Sequence, residues 1–199
     1  MAGYPKAIEN LLDRLVKFPG IGRRSAERIV FYLLEASNEE VSMLSQDILR
    51  LKSHIHFCRI CNNLGDTDVC ATCRDTTRQS DVLCVVETPK DVGFVERTGN
   101  FKGRYHVLLG AIAPLDGRGP GDLKIDGLLA RIKNEGIKEV IVATDSDTEG
   151  ETTALYLAKV IKPLGVKISR IGVGIPVGSN IEYADSTTLA RALESRREI

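Results

Sequence analysis

Cys58, Cys61, Cys70 and Cys73 stand as C-x2-C-x8-C-x2-C in a stretch too short to bury a core of its own. Each C-x-x-C turn aims two thiolates at one ion, and the loop from Asn62 to Val69 is polar and turn-rich, so the spacing predicts a tetrahedral zinc site. Protein supplies all four ligands, which makes the metal structural. Disulfides would need an oxidising compartment, yet no secretory leader precedes the motif, and a thioredoxin-type redox centre carries one C-x-x-C rather than two. His54 and His56 precede the first cysteine, but a complete four-cysteine set gives them no required role. Cys84, inside Val82-Leu83-Cys84-Val85-Val86, reads as a buried strand residue.

Carboxylates form the second group. Glu87 closes one apolar run, and Asp145 and Asp147 follow another, Val140-Ile141-Val142-Ala143. Alternate aspartates on extended chain project to one side, and a glutamate from a neighbouring strand would complete an oxygen-rich magnesium site. Glu149 and Glu151 fall in the first turn of the following helix, where the helix dipole alone favours negative charge. Basic residues form the third group. Arg14, Lys17, Arg23, Arg24 and Arg28 face only Glu27 across their span, a local excess of four in a chain with net charge zero. Arg24 and Arg28 fall opposite the apolar face of their helix and are placed for neighbouring phosphates, or equally for water. Arg23 sits one turn from Glu27, which partly neutralises it.

The elements that carry these groups can be read from periodicity. Ile8, Leu11, Leu12 and Leu15 mark an amphipathic helix that begins at Pro5, and Ala26, Ile29, Val30 and Leu33 mark a second. Between them lies Phe18-Pro19-Gly20-Ile21-Gly22, a Gly-x-Gly hairpin whose glycines allow positive φ and open the second helix's N–H groups toward an anion. Phe31 lies off the apolar stripe. A third helix is predicted over Asn38 to Leu51, with Val41, Leu44, Ile48 and Leu51 apolar. Beyond Gln79 strands alternate with helices. Strands are expected over Asp81–Glu87, Tyr105–Leu109, Glu139–Thr144 and Lys167–Val173, and helices over Pro89–Arg97, Asp122–Asn134 and Thr148–Ile161. Strands that are apolar on both faces predict a mostly parallel sheet covered by helices, with its acids at the carboxyl ends. The Gly-rich loop Ala111–Asp122 is poor in apolar anchors and is expected to be mobile. A last helix, capped by Asp185 or Ser186, places Leu189, Ala192 and Leu193 on one side.

With 43% hydrophobic and 27% charged residues, the 199-residue chain reads as a soluble globular protein. No apolar run reaches the length of a membrane helix, there is no targeting leader, and the cytoplasm is the expected compartment. Zero net charge argues against indiscriminate polyanion binding, so any nucleic-acid contact must be local.

The segment PGIGRRSAERI resembles a helix-hairpin-helix DNA-binding motif, which implies sequence-independent contact with the DNA backbone. Val85-Val86-Glu87, paired with the stretch from Ala143 to Glu151, resembles a Toprim domain. The order of the hairpin, the four-cysteine knuckle, the Toprim region and the closing Gly174-Ile175-Pro176-Val177-Gly178 resembles the bacterial recombination mediator family RecR over essentially the whole chain.

The resemblance implies a multi-part α and α/β fold. Residues 1–53 would form a helix-hairpin-helix DNA-binding region, 54–78 a zinc finger, 79–176 a Toprim-like mostly parallel α/β domain, and 177–199 an exchanged strand/helix tail for oligomerisation. Lys17, Arg23, Arg24 and Arg28 would contact DNA. Glu87, Asp145, Asp147, Glu149 and Glu151 would serve either magnesium or a docking partner. Many members of the family carry a non-acidic residue where this chain has Asp145.

The implied function is a non-catalytic clamp and adaptor in recombinational repair, a homotetrameric ring in the cytoplasm on the nucleoid, acting with RecO and RecF to load RecA on gapped DNA. A magnesium-dependent Toprim nuclease is the alternative. It lacks a protein nucleophile, because none of the five tyrosines stands in a recognisable topoisomerase setting, so a metal-activated water would have to attack; no P-loop supports nucleotide hydrolysis.

Overall fold

The computed structural model describes residues 3–172 and 174–196. The chain divides into two compact units, Met1–Ile55 and His56–Ile199.

The first unit is helical. Helix α1 (Lys6–Leu15) and α2 (Arg23–Glu35) pack around Leu12, Ala26 and Val30, with Ile8, Leu11, Leu15 and Ile21 closing the cluster. Pro19 and Gly20 turn the chain between them. Gly20 has φ +79° and the Ile21 N–H donates to the Phe18 carbonyl (3.1 Å), the geometry of a type II turn with proline second and glycine third. Helix α3 (Asn38–His54) starts where Ser37 Oγ accepts the Glu40 N–H, and it runs a turn farther than its apolar spacing predicts. None of its described residues is buried. Of the expected apolar face, Val41 is half-buried, while Leu44, Ile48 and Leu51 stay exposed together with Met43 and Leu49.

The second unit opens with a small antiparallel hairpin, β1 (His56–Phe57) and β2 (Leu64–Gly65), followed by the one-turn helix α4 (Ala71–Arg74). The remainder is built on a four-stranded parallel sheet of β3 (Val82–Val86), β4 (Arg104–Val107), β5 (Glu139–Ala143) and β6 (Lys167–Arg170), in the order β4-β3-β5-β6. Helices α5 (Pro89–Arg97), α6 (Ile125–Asn134) and α7 (Thr148–Ile161) supply the crossovers. The strand period of two divides the core. Leu83 and Val85 join Leu108, Leu128, Val140 and Leu157 on one face, while Cys84 and Val86 join Val92, Tyr105 and Val107 on the other. Burial pushes the Cys84 thiol up to about 12, so it behaves as a core hydrophobe.

Three details differ from the sequence-based expectations. The loop Ala111–Asp122 is tied down. Ala111, Ile112 and Ala113 are buried, the Ile112 N–H donates to Thr153 Oγ1 (2.8 Å), and Ala113 bridges Arg118. One isoleucine, two alanines and a threonine hydroxyl from a distant helix are enough to anchor a loop that its glycines and prolines make look free. Helix α6 begins at Ile125 rather than Asp122, because Pro120–Asp122 forms a separate 3-10 turn. The tail contains a 3-10 turn (Ile181–Tyr183) and helix α8 (Ser186–Glu194), whose N-terminus Asp185 caps by accepting the Thr187 and Thr188 N–H groups. No strand occurs among the tail's described residues, and the Val173 end of the last expected strand lies outside them.

Candidate functional site

The four sulfurs come together. The Sγ atoms of Cys58, Cys61, Cys70 and Cys73 all lie within 4.8 Å of one another, with Cys61 and Cys70 3.5 Å apart. Zinc–sulfur bonds of about 2.3 Å in a tetrahedron put sulfurs about 3.8 Å apart, so the set fits one zinc ion. Local backbone builds each half. The Asn62 N–H donates to the Cys58 carbonyl (2.9 Å) and Asn62 takes φ +60°, while Cys70 starts α4 and accepts the Cys73 N–H (3.1 Å). The finger is also fastened to the edge of the parallel sheet. The Val107 N–H donates to the Cys61 carbonyl (2.8 Å), and Asn62 Nδ2 donates to the Val107 carbonyl (3.1 Å).

The acids gather at the carboxyl ends of β3 and β5. Because the sheet order reverses between these two strands, they flank the switch point of the sheet. Glu87 Oε1 accepts the Asp145 N–H at 3.0 Å. Asp147 caps α7 by accepting the Gly150 N–H (2.8 Å), and a Cβ at Gly150 would sit 2.2 Å from the Asp145 carbonyl oxygen, so only glycine allows this close turn.

Partners that the sequence reading did not foresee hold the remaining acids. Arg118 approaches Glu149 at 3.7 Å, and Glu151 is paired with Arg170 and, at 3.2 Å, with Arg191 of α8. Arg170 also donates to the Asp145 carbonyl (3.0 Å) and Arg191 to that of Ser146 (3.3 Å). These arginines lie 19 to 45 residues from their partners, beyond any local pattern. Among the described residues, the four cysteines form the only converged set of three or more metal-ligand side chains; Glu87, Asp145 and Asp147 are neighbours but do not form such a cluster.

Burial pushes the Glu87 carboxyl above the usual carboxylate range, and the nearby charges of Asp145, Asp147 and Asp91 add to the shift against the hydrogen bond from Asp145. A raised pKa means that the stability Glu87 confers is complete below its ordinary value and is lost as pH rises through the folded value. At neutral pH its ionised form is a net cost. Glu87→Gln keeps the acceptor for Asp145 and removes the charge, so it should raise Tm at neutral pH by about 1–2 °C. The gain should shrink toward pH 4, as paired thermal melts would show. A lower Tm for the variant at neutral pH would contradict this account.

The basic residues separate into two kinds. Arg23 is held by Glu9 (2.7 Å), Asp13 (3.7 Å) and Glu27 (3.5 Å), so its charge is absorbed in joining α1 to α2. Lys17, Arg24 and Arg28 are exposed and have no carboxylate partner among the described residues. Gly22 opens α2 without a side-chain cap, which leaves first-turn N–H groups beside Arg24 for an external acceptor.

Comparison with known proteins covers nearly the whole chain. Residues 8–51 match the family described as RecR, helix-hairpin-helix, and residues 55–75 match the RecR zinc finger domain of the four-cysteine type. Residues 81–172 match Toprim domain, and 174–197 match RecR, C-terminal. The finger match and the sulfur geometry together establish structural zinc as the metal of the four cysteines. The chain is 50% identical to "Recombination protein RecR" of Streptomyces coelicolor over 194 residues and 51% identical to the protein of the same name from Acidothermus cellulolyticus over 196. Each alignment covers 98% of both chains. On this combined match, the chain belongs to the RecR family of recombination proteins.

Proposed function

We propose that the protein is a non-catalytic DNA-binding clamp and adaptor in recombinational repair, which holds gapped DNA and works with RecO and RecF to load RecA. The observation that carries the reading is the pair Arg24 and Arg28. Two exposed guanidiniums one turn apart, without carboxylate partners among the described residues, flank an uncapped helix N-terminus. That arrangement suits phosphates and no particular base sequence.

Closure into a ring of several copies, a homotetramer on the family resemblance, is supported by apolar surface that one chain leaves open. Helix α3 exposes Leu44, Ile48 and Leu51, and the tail exposes Val177, Ile181 and Tyr183. Two separate adhesive surfaces per chain are what a closed assembly of more than two copies needs. In such a ring, weak contacts per copy would add through avidity. The acids at the switch point would serve as a docking surface for a basic partner. Magnesium there is a secondary role, because Asp147 is engaged as a helix cap and Glu149 and Glu151 are ion-paired. No described helix is long and apolar enough to cross a membrane, and the proposed place of action is the cytoplasm, on the nucleoid.

The test is light scattering of the purified protein, alone and with closed circular or linear duplex, alongside a plasmid-nicking assay with magnesium. The expected result is an oligomer that is retained on closed circles, slides from linear DNA and leaves plasmid intact. A monomer that nicks plasmid, with activity lost in Asp145→Ala or Asp147→Ala, would replace this reading with a Toprim nuclease.

A further inference from the structure

We infer that the outer face of α5 is a second nucleic-acid surface, one that takes single-stranded DNA by stacking a base on Phe94 while Lys90 and Arg97 hold the flanking phosphates. It belongs to the second unit and does not depend on the hairpin arginines. At about 100° per residue, Lys90, Gly93, Phe94 and Arg97 share one arc of the helix, and all four are exposed. Phe94 is 60% exposed. The Arg97 guanidinium lies 4.4 Å from the centroid of its ring, so a planar cation and an aromatic are already stacked in the free protein.

Charge on this face is unbalanced. Among the described residues neither Lys90 nor Arg97 has a carboxylate partner, and both acids of α5 are engaged elsewhere. Asp91 accepts from the Thr88 N–H (2.7 Å) and Oγ1 (2.9 Å), and Glu96 is held by Arg78 and by the Tyr105 hydroxyl. The arc is therefore cationic and aromatic, and the two carboxylates of α5, Asp91 and Glu96, lie outside it.

Gly93 is the second observation. Glycine is a poor residue for a helix interior, and a Cβ here would meet nothing within 4 Å, so packing within the chain does not require it. Its effect is to leave flat ground beside Phe94 for a ligand to approach the helix closely. A single strand fits this ground better than a duplex, because its unstacked bases are free to lie on an aromatic ring and its backbone can follow flanking cations. An apolar protein partner would instead want several hydrophobic neighbours, whereas Phe94 is flanked on this arc by Lys90, Gly93 and Arg97.

The experiment uses the full chain and measures anisotropy with fluorescein-labelled oligo(dT) and with a blunt duplex of equal length. Phe94→Ala should weaken oligo(dT) binding roughly tenfold, leave duplex binding unchanged and leave the melting temperature unchanged. Phe94→Trp should retain binding, and Lys90→Glu with Arg97→Glu should weaken it and flatten its salt dependence. Photo-crosslinking with 5-iododeoxyuridine in the single strand should mark the α5 peptide. Unchanged oligo(dT) affinity in both the Phe94→Ala and the Lys90/Arg97 variants, or crosslinks confined to the hairpin, would overturn the inference. Reversal of Arg24 and Arg28 separates the two surfaces: it should abolish duplex binding while the Phe94-dependent increment on oligo(dT) persists.

Discussion

Cys58→Ala is expected to yield protein that has lost its zinc and melts well below the parent. Apparent zinc-binding free energies in finger peptides reach about 10–16 kcal/mol at neutral pH, and that energy is folding energy for the segment that binds. Removal of one of four thiolates should therefore cost several kcal/mol, on the order of 3 or more, as the finger unfolds around the remaining three. The loss should not stop at the finger. Both polar groups of Val107's backbone engage the finger, through the Cys61 carbonyl and Asn62 Nδ2. Since β4 is an edge strand of the parallel sheet, amide exchange at Val107 should accelerate before exchange in β3 or β5.

Cys84→Ala is the control. It removes a buried thiol from the core of the sheet, should cost about 1 kcal/mol for a small cavity, and should keep zinc. Metal analysis and thermal melts on the two variants decide the matter. A zinc-free Cys58→Ala protein with the parent's Tm and mass in solution would show that the finger is dispensable to the fold.

How much of this was legible in advance followed the range of the interactions involved. The finger could be read because its ligands sit in two C-x-x-C turns, where spacing alone fixes geometry. Helices α5 and α7 appear with the predicted limits, since Pro89 and Asp147 are local start signals. The sheet was legible as a class, because strands apolar on both faces have few other homes.

Groups that act across the sheet were not legible. Arg118, Arg170 and Arg191 neutralise Glu149 and Glu151 from a loop, a strand and the tail, and nothing in their neighbourhoods marks them as partners. The same applies to α3. Its spacing is that of a packed amphipathic helix, yet Leu44, Ile48 and Leu51 are exposed and only Val41, at its start, is half-buried. Periodicity reports that a face is apolar; it does not say whether the cover comes from the same chain.

The hairpin shows where neighbouring residues of one type part company, and it supports the second large prediction. Arg23 and Arg24 are adjacent and chemically identical, but helical geometry turns Arg23 toward Glu9, Asp13 and Glu27 and turns Arg24 outward beside Arg28. The double variant Arg24→Glu, Arg28→Glu should lose duplex binding by a factor of about 100 or more at moderate salt. Two phosphate contacts vanish and two repulsions replace them, and the slope of log affinity against log salt should fall by about 1 per lost contact. Because both side chains are exposed and without carboxylate partners among the described residues, melting temperature and oligomer mass should stay at the parent values.

Arg23→Ala should behave in the opposite way. It removes the link between α1 and α2, so it should lower Tm modestly while changing duplex affinity little. Anisotropy titrations at three salt concentrations, with thermal melts on the same preparations, separate the cases. If the Arg24/Arg28 reversal binds duplex as the parent does, with its oligomer intact, backbone contact does not run through α2. If Arg23→Ala is the variant that loses DNA, the three carboxylates around it must exchange for phosphate on binding, and Arg23 then belongs to the interface.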